Sequence, residues 1–379
     1  MSSRNHRLVY MYTFFYYLGR AVTSVFSAVL LYKMGFNFAQ ILLFIALKFG
    51  VMGLLSPFSP YLLSRIGIVK CFIIGNLSLI IGSLLLLVNT GNAPSYFLLT
   101  FIFLSINGAI IHPVGHMIPA LYVDSEKRGK INGIITIIKG LTIIISTAIV
   151  GLFLHNNIIL YTFIISTLLI SLIPIKVLFK NENYERKYSL KEPFKNIVNS
   201  SFRQYIPTFS THSLPIIEGT VLSLYIYVLV GDIRVFASII IVASIIEIIA
   251  IYFFGKITDK SSKKIFSTAT SLRSLASLSL IFLTFTTLLL FIVQAFNKLT
   301  DKLHSNVFGV LTQRVTKEHS DPIIFTTSKE MVLCFTEFII LMLFSLTALF
   351  INEKIFIVIF SSTFISVWIM YLKWKDKGN

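Results

Sequence analysis

Stretches of about twenty or more apolar residues recur from one end of this chain to the other, separated by short segments that hold most of its Lys and Arg. That alternation restricts the fold more than any other feature. A helix that crosses a bilayer needs about 20 apolar residues, and within the hydrocarbon it satisfies its backbone hydrogen bonds internally. Candidate spans lie near 8–32, 39–63, 68–88, 95–123, 131–154 and 157–179, then near 204–230, 235–256, 265–282, 285–312, 322–349 and 355–372. The ninth and tenth need an argument. Phe266–Leu299 is 34 residues, which as one helix would be about 50 Å long against a hydrocarbon core of about 30 Å. Lysines flank both ends (Lys263 and Lys264; Lys298 and Lys302), so an even number of passes is required. A hairpin near Phe282–Thr287 supplies it, and the total is twelve.

Only 13% of the 379 residues are charged, 55% are hydrophobic, and the mean hydropathy is +0.83. A soluble domain carries about 25% charged residues, so soluble and disordered chains are excluded. Cys71 and Cys334, both in apolar runs, exclude a disulfide scaffold. An outer-membrane barrel would show alternating segments of about 10 residues, whereas these runs are continuous in Ile, Leu and Phe. The net charge of +17 would suggest nucleic acid, but its distribution follows the positive-inside rule. Of 33 Lys and Arg, 25 fall on the side of the two termini and three (Lys33, Arg234, Lys354) on the other, with Arg20, Lys48, Lys139, Arg273 and Lys329 inside spans. Both termini are therefore expected in the cytoplasm. The first run is too long for a signal-peptide core and is read as a retained span.

The one long polar segment, 180–203, separates an N-terminal six-helix half (1–179) from a C-terminal one (204–379). Parallel halves with a binding site between them are a common transporter plan. A loop repeats in the two halves. After the eighth span it reads Gly255-Lys-Ile-Thr-Asp259-Lys260-Ser-Ser-Lys263-Lys264, and after the second, Tyr61-Leu-Leu-Ser64-Arg65-Ile-Gly67-Ile-Val-Lys70. After the fourth span comes Asp124-Ser-Glu-Lys-Arg128-Gly129. With twelve spans and a basic central loop, these features make the chain similar to the major facilitator superfamily, whose hallmark loop is Gly-x-Leu-x-Asp-Arg-x-Gly-Arg-Arg. The resemblance implies an all-α integral membrane protein of two pseudo-symmetric halves. It makes Arg65, Gly67, Asp124, Arg128, Gly129, Gly255, Asp259, Lys260, Lys263 and Lys264 cytoplasmic gate residues. There are departures. Ser64 stands where the first loop's Asp belongs, and Ser262 replaces the inner Gly of the second. Leu104 replaces the Arg that many proton-driven members carry four residues before a Gly, and 131–154 has no Pro. A standard drug/proton antiporter is thereby disfavoured.

A charge at bilayer depth is a functional hypothesis by default, since it costs at least ~2.5–3.5 kcal/mol. Spans of the first half hold Arg20, Lys48 and Lys139 and no carboxylate; those of the second hold Glu218, Glu247, Glu330 and Glu337. Helix packing in the resembling fold allows Arg20 with Glu218, Lys139 with Glu247 and Lys48 with Glu337. Such pairs either clamp the halves or exchange protons as the cavity alternates. Glu218, bracketed by Pro215 and Gly219, is the first choice for proton coupling. Tyr12, Tyr16, Arg20 and Ser24 recur every four residues and form a polar stripe. Asn107 and His112, with His116 and Pro113, make a polar segment on the fourth span; Gln294 and Asn297 are solute candidates on the tenth. No carboxylate neighbours the two histidines in sequence, so no metal is expected.

The reading is a secondary active transporter, a symporter or antiporter. It would move a small solute, anionic or zwitterionic in preference, across the cytoplasmic membrane by alternating access, with proton coupling. The alternatives are a lipid or glycolipid flippase on the same fold, or a non-transporting scaffold or receptor. No phosphate loop, nucleophile–base motif or metal-ligand spacing suggests an enzyme or a cofactor. The expected partners are the solute, protons and the lipid bilayer, with no nucleic acid, and the expected state is a monomer.

Overall fold

Apolar runs became helices with few exceptions. A computed structural model describes residues 3–88, 94–122, 128–153, 156–179, 186–258, 268–269, 271–273, 275–276, 279, 287–351 and 356. The helices of the first half are α1 (Ser3–Lys33), α2 (Phe38–Leu55), α3 (Phe58–Ile66), α4 (Ile68–Val88), α5 (Pro94–Tyr122), α6 (Arg128–Phe153) and α7 (Asn157–Leu178). The connecting segment carries α8 (Glu192–Val198) and α9 (Ser200–Arg203). The second half has α10 (Ile206–Val230), α11 (Ile233–Thr258), α12 (Thr287–Glu318) and α13 (Pro322–Ala348). Among the described residues nine helices are long and apolar enough to cross a membrane, and none forms a strand. The hairpin near 282 and most of the ninth and twelfth expected spans lie outside the described residues.

Two elements differ from the sequence reading. The expected second span, 39–63, is two helices. Pro57 has no N–H, and its ring obstructs the preceding turn, so α2 stops at Ser56, whose N–H and Oγ both reach Met52 O, at 3.0 and 2.8 Å. The expected tenth span, 285–312, is longer: α12 runs on to Glu318.

Small residues let the helices approach, as expected where no water is available to drive their association. In the first half a Cβ on Gly19 would meet Thr167 Oγ1 at 2.6 Å, and one on Gly75 would meet Ile111 at 2.5 Å. Polar side chains join the same helices. Ser146 Oγ donates to Leu18 O (2.7 Å), Asn76 Nδ2 donates to Leu168 O (3.0 Å), and Ser105 Oγ donates to Lys48 O (2.9 Å). The halves meet along two seams, α2 on α13 and α6 on α11. Each seam rests on glycines of the first half: Gly50 and Gly53 against Phe338 and Cys334, and Gly140 and Gly151 against Ile248 and Ala237.

Candidate functional site

A cavity of about 270 Å³ lies between the halves, lined from α1, α5, α6 and α7 on one side and α10, α12 and α13 on the other. The register of its lining shows at which end it lies. It takes Val9–Arg20 from the start of α1, Ile111–His116 from the later part of α5, Ile135–Lys139 from early in α6, His212 from early in α10 and Thr326–Lys329 from the start of α13. All these stretches belong to the end of the bundle that bears the N-terminus and the connecting segment. At the opposite end the halves are closed. Phe26 packs on Phe236 (6.0 Å between ring centroids) and Tyr32 on Tyr227 (5.8 Å). Ser345 Oγ donates to Ala39 O at 2.8 Å.

Four cations line the cavity: Arg20, Lys139, Lys302 and Lys329; no Asp or Glu is among the described lining. Two of the four hold a carboxylate of their own half. Lys302 Nζ is 3.5 Å from Glu247 and 3.7 Å from Asp301, and Lys329 Nζ is 2.8 Å from Glu330. The other two belong to the first half. The Arg20 guanidinium lies 5.9 Å from the Tyr16 ring centre and 5.8 Å from that of Tyr17, and Lys139 Nζ lies 4.4 Å from Tyr17. Among the described residues neither forms an ion pair with a carboxylate. Tyr16 is fixed from behind: its hydroxyl donates to Asn107 Oδ1 (3.1 Å), and Asn107 Nδ2 donates to Gly75 O (2.9 Å).

Among the described residues, one cluster of charged contacts crosses the cavity between halves. Glu330 of α13 meets His116 Nδ1 of α5 at 2.7 Å and His112 Nδ1 at 3.7 Å, while Lys329 Nζ stands 3.2 Å from His116 Nδ1. An ammonium therefore shares the carboxylate with the imidazoles. No group of metal-ligating residues occurs among the described residues.

The expected pairings are corrected. Glu218 pairs with Arg273 rather than with Arg20, inside the second half. Arg273 also donates to Asn297 O (2.8 Å) and Oδ1 (3.2 Å). Glu218 and Arg273 are 0% and 2% exposed, so this pair is sealed behind the cavity wall. Glu247 does lie in the α6–α11 seam, but its cation is Lys302, not Lys139. Lys48 and Glu337 stand on the packed helices α2 and α13 without forming an ion pair; Lys48 Nζ lies 4.8 Å from the Phe49 ring centre. Of the solute candidates, Tyr16, Arg20 and His112 line the cavity, as does Lys139. Ser24, Lys48, Asn107, Gln294 and Asn297 do not. Ser24 Oγ turns back to Ala21 O, and Asn297 serves Arg273.

The sequence reading missed Tyr17, Lys302 and Lys329 as lining residues. Lys302 had a signal: with Gln294 and Lys298 it continues a four-residue spacing, which marks a helix face.

At the gate loops, Gly67 adopts φ +82° between α3 and α4, a backbone that favours glycine. Arg65 packs on Tyr61, at 5.2 Å from its ring centre. Ser64, in the position of the family's Asp, accepts a 3.3 Å hydrogen bond from Tyr188 N of the connecting segment. That segment is also tied to the second half, through Arg186 to Asp321 (2.5 Å) and Asn196 Nδ2 to Ser328 Oγ (3.0 Å). Gly129 and Gly255 lie within α6 and α11. Asp124, Asp259, Lys260, Lys263, Lys264 and the side chain of Arg128 lie outside the described residues.

No protein with a curated description matches this sequence. Solved structures do match in fold. A POT family transporter in complex with a thioalcohol-conjugated peptide superposes with a TM-score of 0.73 at 12% identity, over 99% of this chain and 96% of its own. The human organic anion transporter MFSD10 (TETRAN) gives 0.72 at 8% identity, over 98% and 100%. A bacterial homologue of the iron transporter ferroportin, in its outward-facing state, gives 0.70 at 12% identity, over 98% and 99%. The family model of the Major Facilitator Superfamily matches residues 9–320. The chain therefore belongs to the Major Facilitator Superfamily and is a multi-pass membrane transporter.

Proposed function

We propose that this protein is a secondary transporter that carries a small anionic or zwitterionic solute across the cytoplasmic membrane by alternating access. Twelve spans form the two halves, and both termini are inside. The carrying observation is the cavity: both halves line it, it lies at one end of the bundle, and the other end is shut by Phe26–Phe236 and Tyr32–Tyr227. Its ~270 Å³ lies just below the range of drug-sized pockets, which favours a small solute over a lipid. The glycine-lined seams α2–α13 and α6–α11 are the surfaces along which the halves would rock, and the ties at Ser64, Asp321 and Glu330 are contacts that would be remade. In this reading His116–Glu330 crosses between the halves and is a better-placed site for proton coupling than Glu218, whose partner lies within its own half.

Cysteine accessibility tests the reading. In a background lacking Cys71 and Cys334, Gln313→Cys reports on the open end and Ala237→Cys on the shut seam. An impermeant thiol reagent should modify Gln313→Cys quickly and Ala237→Cys slowly but to completion, from the opposite face of the membrane. An Ala237→Cys that never reacts would overturn alternation and favour the scaffold.

A further inference from the structure

We infer that the solute is a small dianion, held at two points by Arg20 and Lys139; this rests on the transporter reading above and specifies its substrate class. The two cations approach one ring, Tyr17, from α1 and α6, at 5.8 and 4.4 Å from its centre, so they lie no farther apart than the sum of those distances, and both line the same cavity. Every other cation of the cavity has a carboxylate: Glu247 and Asp301 serve Lys302, and Glu330 serves Lys329. A charge removed from water requires a partner. Within the described lining that partner is missing at Arg20 and Lys139 alone, and when the open end closes over them the solute must supply it.

Two further features narrow the class. A zwitterion would need an acceptor for its ammonium, but the described lining offers no Asp or Glu, and Glu247, Asp301 and Glu330 behind it already hold Lys302 and Lys329. A monoanion would leave one of the two cations uncompensated. Arg20 can hold a planar carboxylate or a phosphate oxygen pair through its fork, while Lys139 acts as a point charge on the second acidic group. Tyr16, pinned by Asn107, sets the side of the cavity on which the guanidinium lies.

The test uses the purified full-length protein and a series of one length and shape, titrated calorimetrically at constant ionic strength. Succinate carries two charges, its monomethyl ester one, succinamide none, and 4-aminobutyrate is the zwitterion; inorganic phosphate is the compact alternative. Succinate or phosphate should bind most tightly. Arg20→Gln and Lys139→Gln should each weaken binding by about ten- to a hundred-fold, the loss of a charged hydrogen-bonding partner. Arg20→Lys and Lys139→Arg, which keep the charge, should each bind more tightly than the corresponding Gln variant, and this separates lost charge from misfolding. Equal binding of succinamide or 4-aminobutyrate would overturn the inference, as would failure of both dianions to bind or unchanged affinity in both Gln variants. A dianion failure with normal reactivity of Ala237→Cys would leave the transporter reading standing, while loss of that reactivity would remove the reading itself.

Discussion

The two halves treat membrane-embedded charge in opposite ways. In the second half, Arg273, Lys302 and Lys329 each lie against a carboxylate of that half, and Arg273–Glu218 is packed out of reach of the cavity. In the first half, Arg20 and Lys139 rest on tyrosine rings and face the cavity with no described carboxylate beside them. A paired charge stabilises one arrangement of helices; a charge that rests on tyrosines without a carboxylate keeps most of its capacity for a ligand. The second half thus acts as a scaffold already compensated, and the first half carries the binding deficit.

The largest expected effect breaks this contrast on the second-half side. Arg273→Met leaves Glu218 buried without its cation, and breaking a buried pair in this way costs about 3–5 kcal/mol. The loss should appear as a large drop in unfolding midpoint in detergent, and a midpoint within a degree of wild type would show that the pair does not hold the half together. Arg20→Gln should go the other way. It removes a charge with no carboxylate partner, so stability should hold or rise, by at most the ~2.5–3.5 kcal/mol that the insertion scale assigns to a central charge. A clear drop in midpoint would mean that Arg20 is a structural residue.

Packing in the first half should be the next most sensitive. Gly19→Ala places a methyl 2.6 Å from Thr167 Oγ1 and 2.8 Å from Leu168 Cγ, and such overpacking costs about 1–3 kcal/mol. Gly115→Ala, with nothing within 4 Å of the new atom, is the control, and equal midpoints would refute close α1–α7 packing as the reason for glycine. The smallest effect belongs to the segment joining the halves. Burial and the nearby Asp321 raise the Tyr188 phenol from 10.0 to about 12. Its contribution to stability is complete below pH 10 and is lost as pH rises through about 12, because the unfolded chain ionises first. Tyr188→Phe should remove that alkaline decline, and an unchanged profile would place the decline elsewhere.

Several features were readable without coordinates, each for a plain reason. Span positions follow from hydropathy, because the bilayer imposes a length on every helix. The halves follow from the single polar segment between them, and the cationic character of the first-half spans follows from counting. Tyr16, Arg20 and Lys139 reached the candidate site because polar groups at span depth must face protein or cavity. Lys302 was counted among the charges on the side of the termini, since a lysine beside an apolar run resembles a topology signal. Only the approach of Glu247 from α11 shows why the helix can continue through it.

The sequence by itself determined that this chain crosses the membrane many times, and it led to the expectation of two halves and of particular ionisable groups at depth, since all three depend on the order of apolar and charged residues. Tertiary structure decided the partners. Glu218 could have met Arg20 by depth alone, yet helix rotation and packing bring it to Arg273. The same packing leaves Arg20 and Lys139 beside Tyr17 at the cavity. Which charges cancel and which remain for a solute is set by distances of a few ångströms between helices remote in sequence, and no pattern along the chain encodes those.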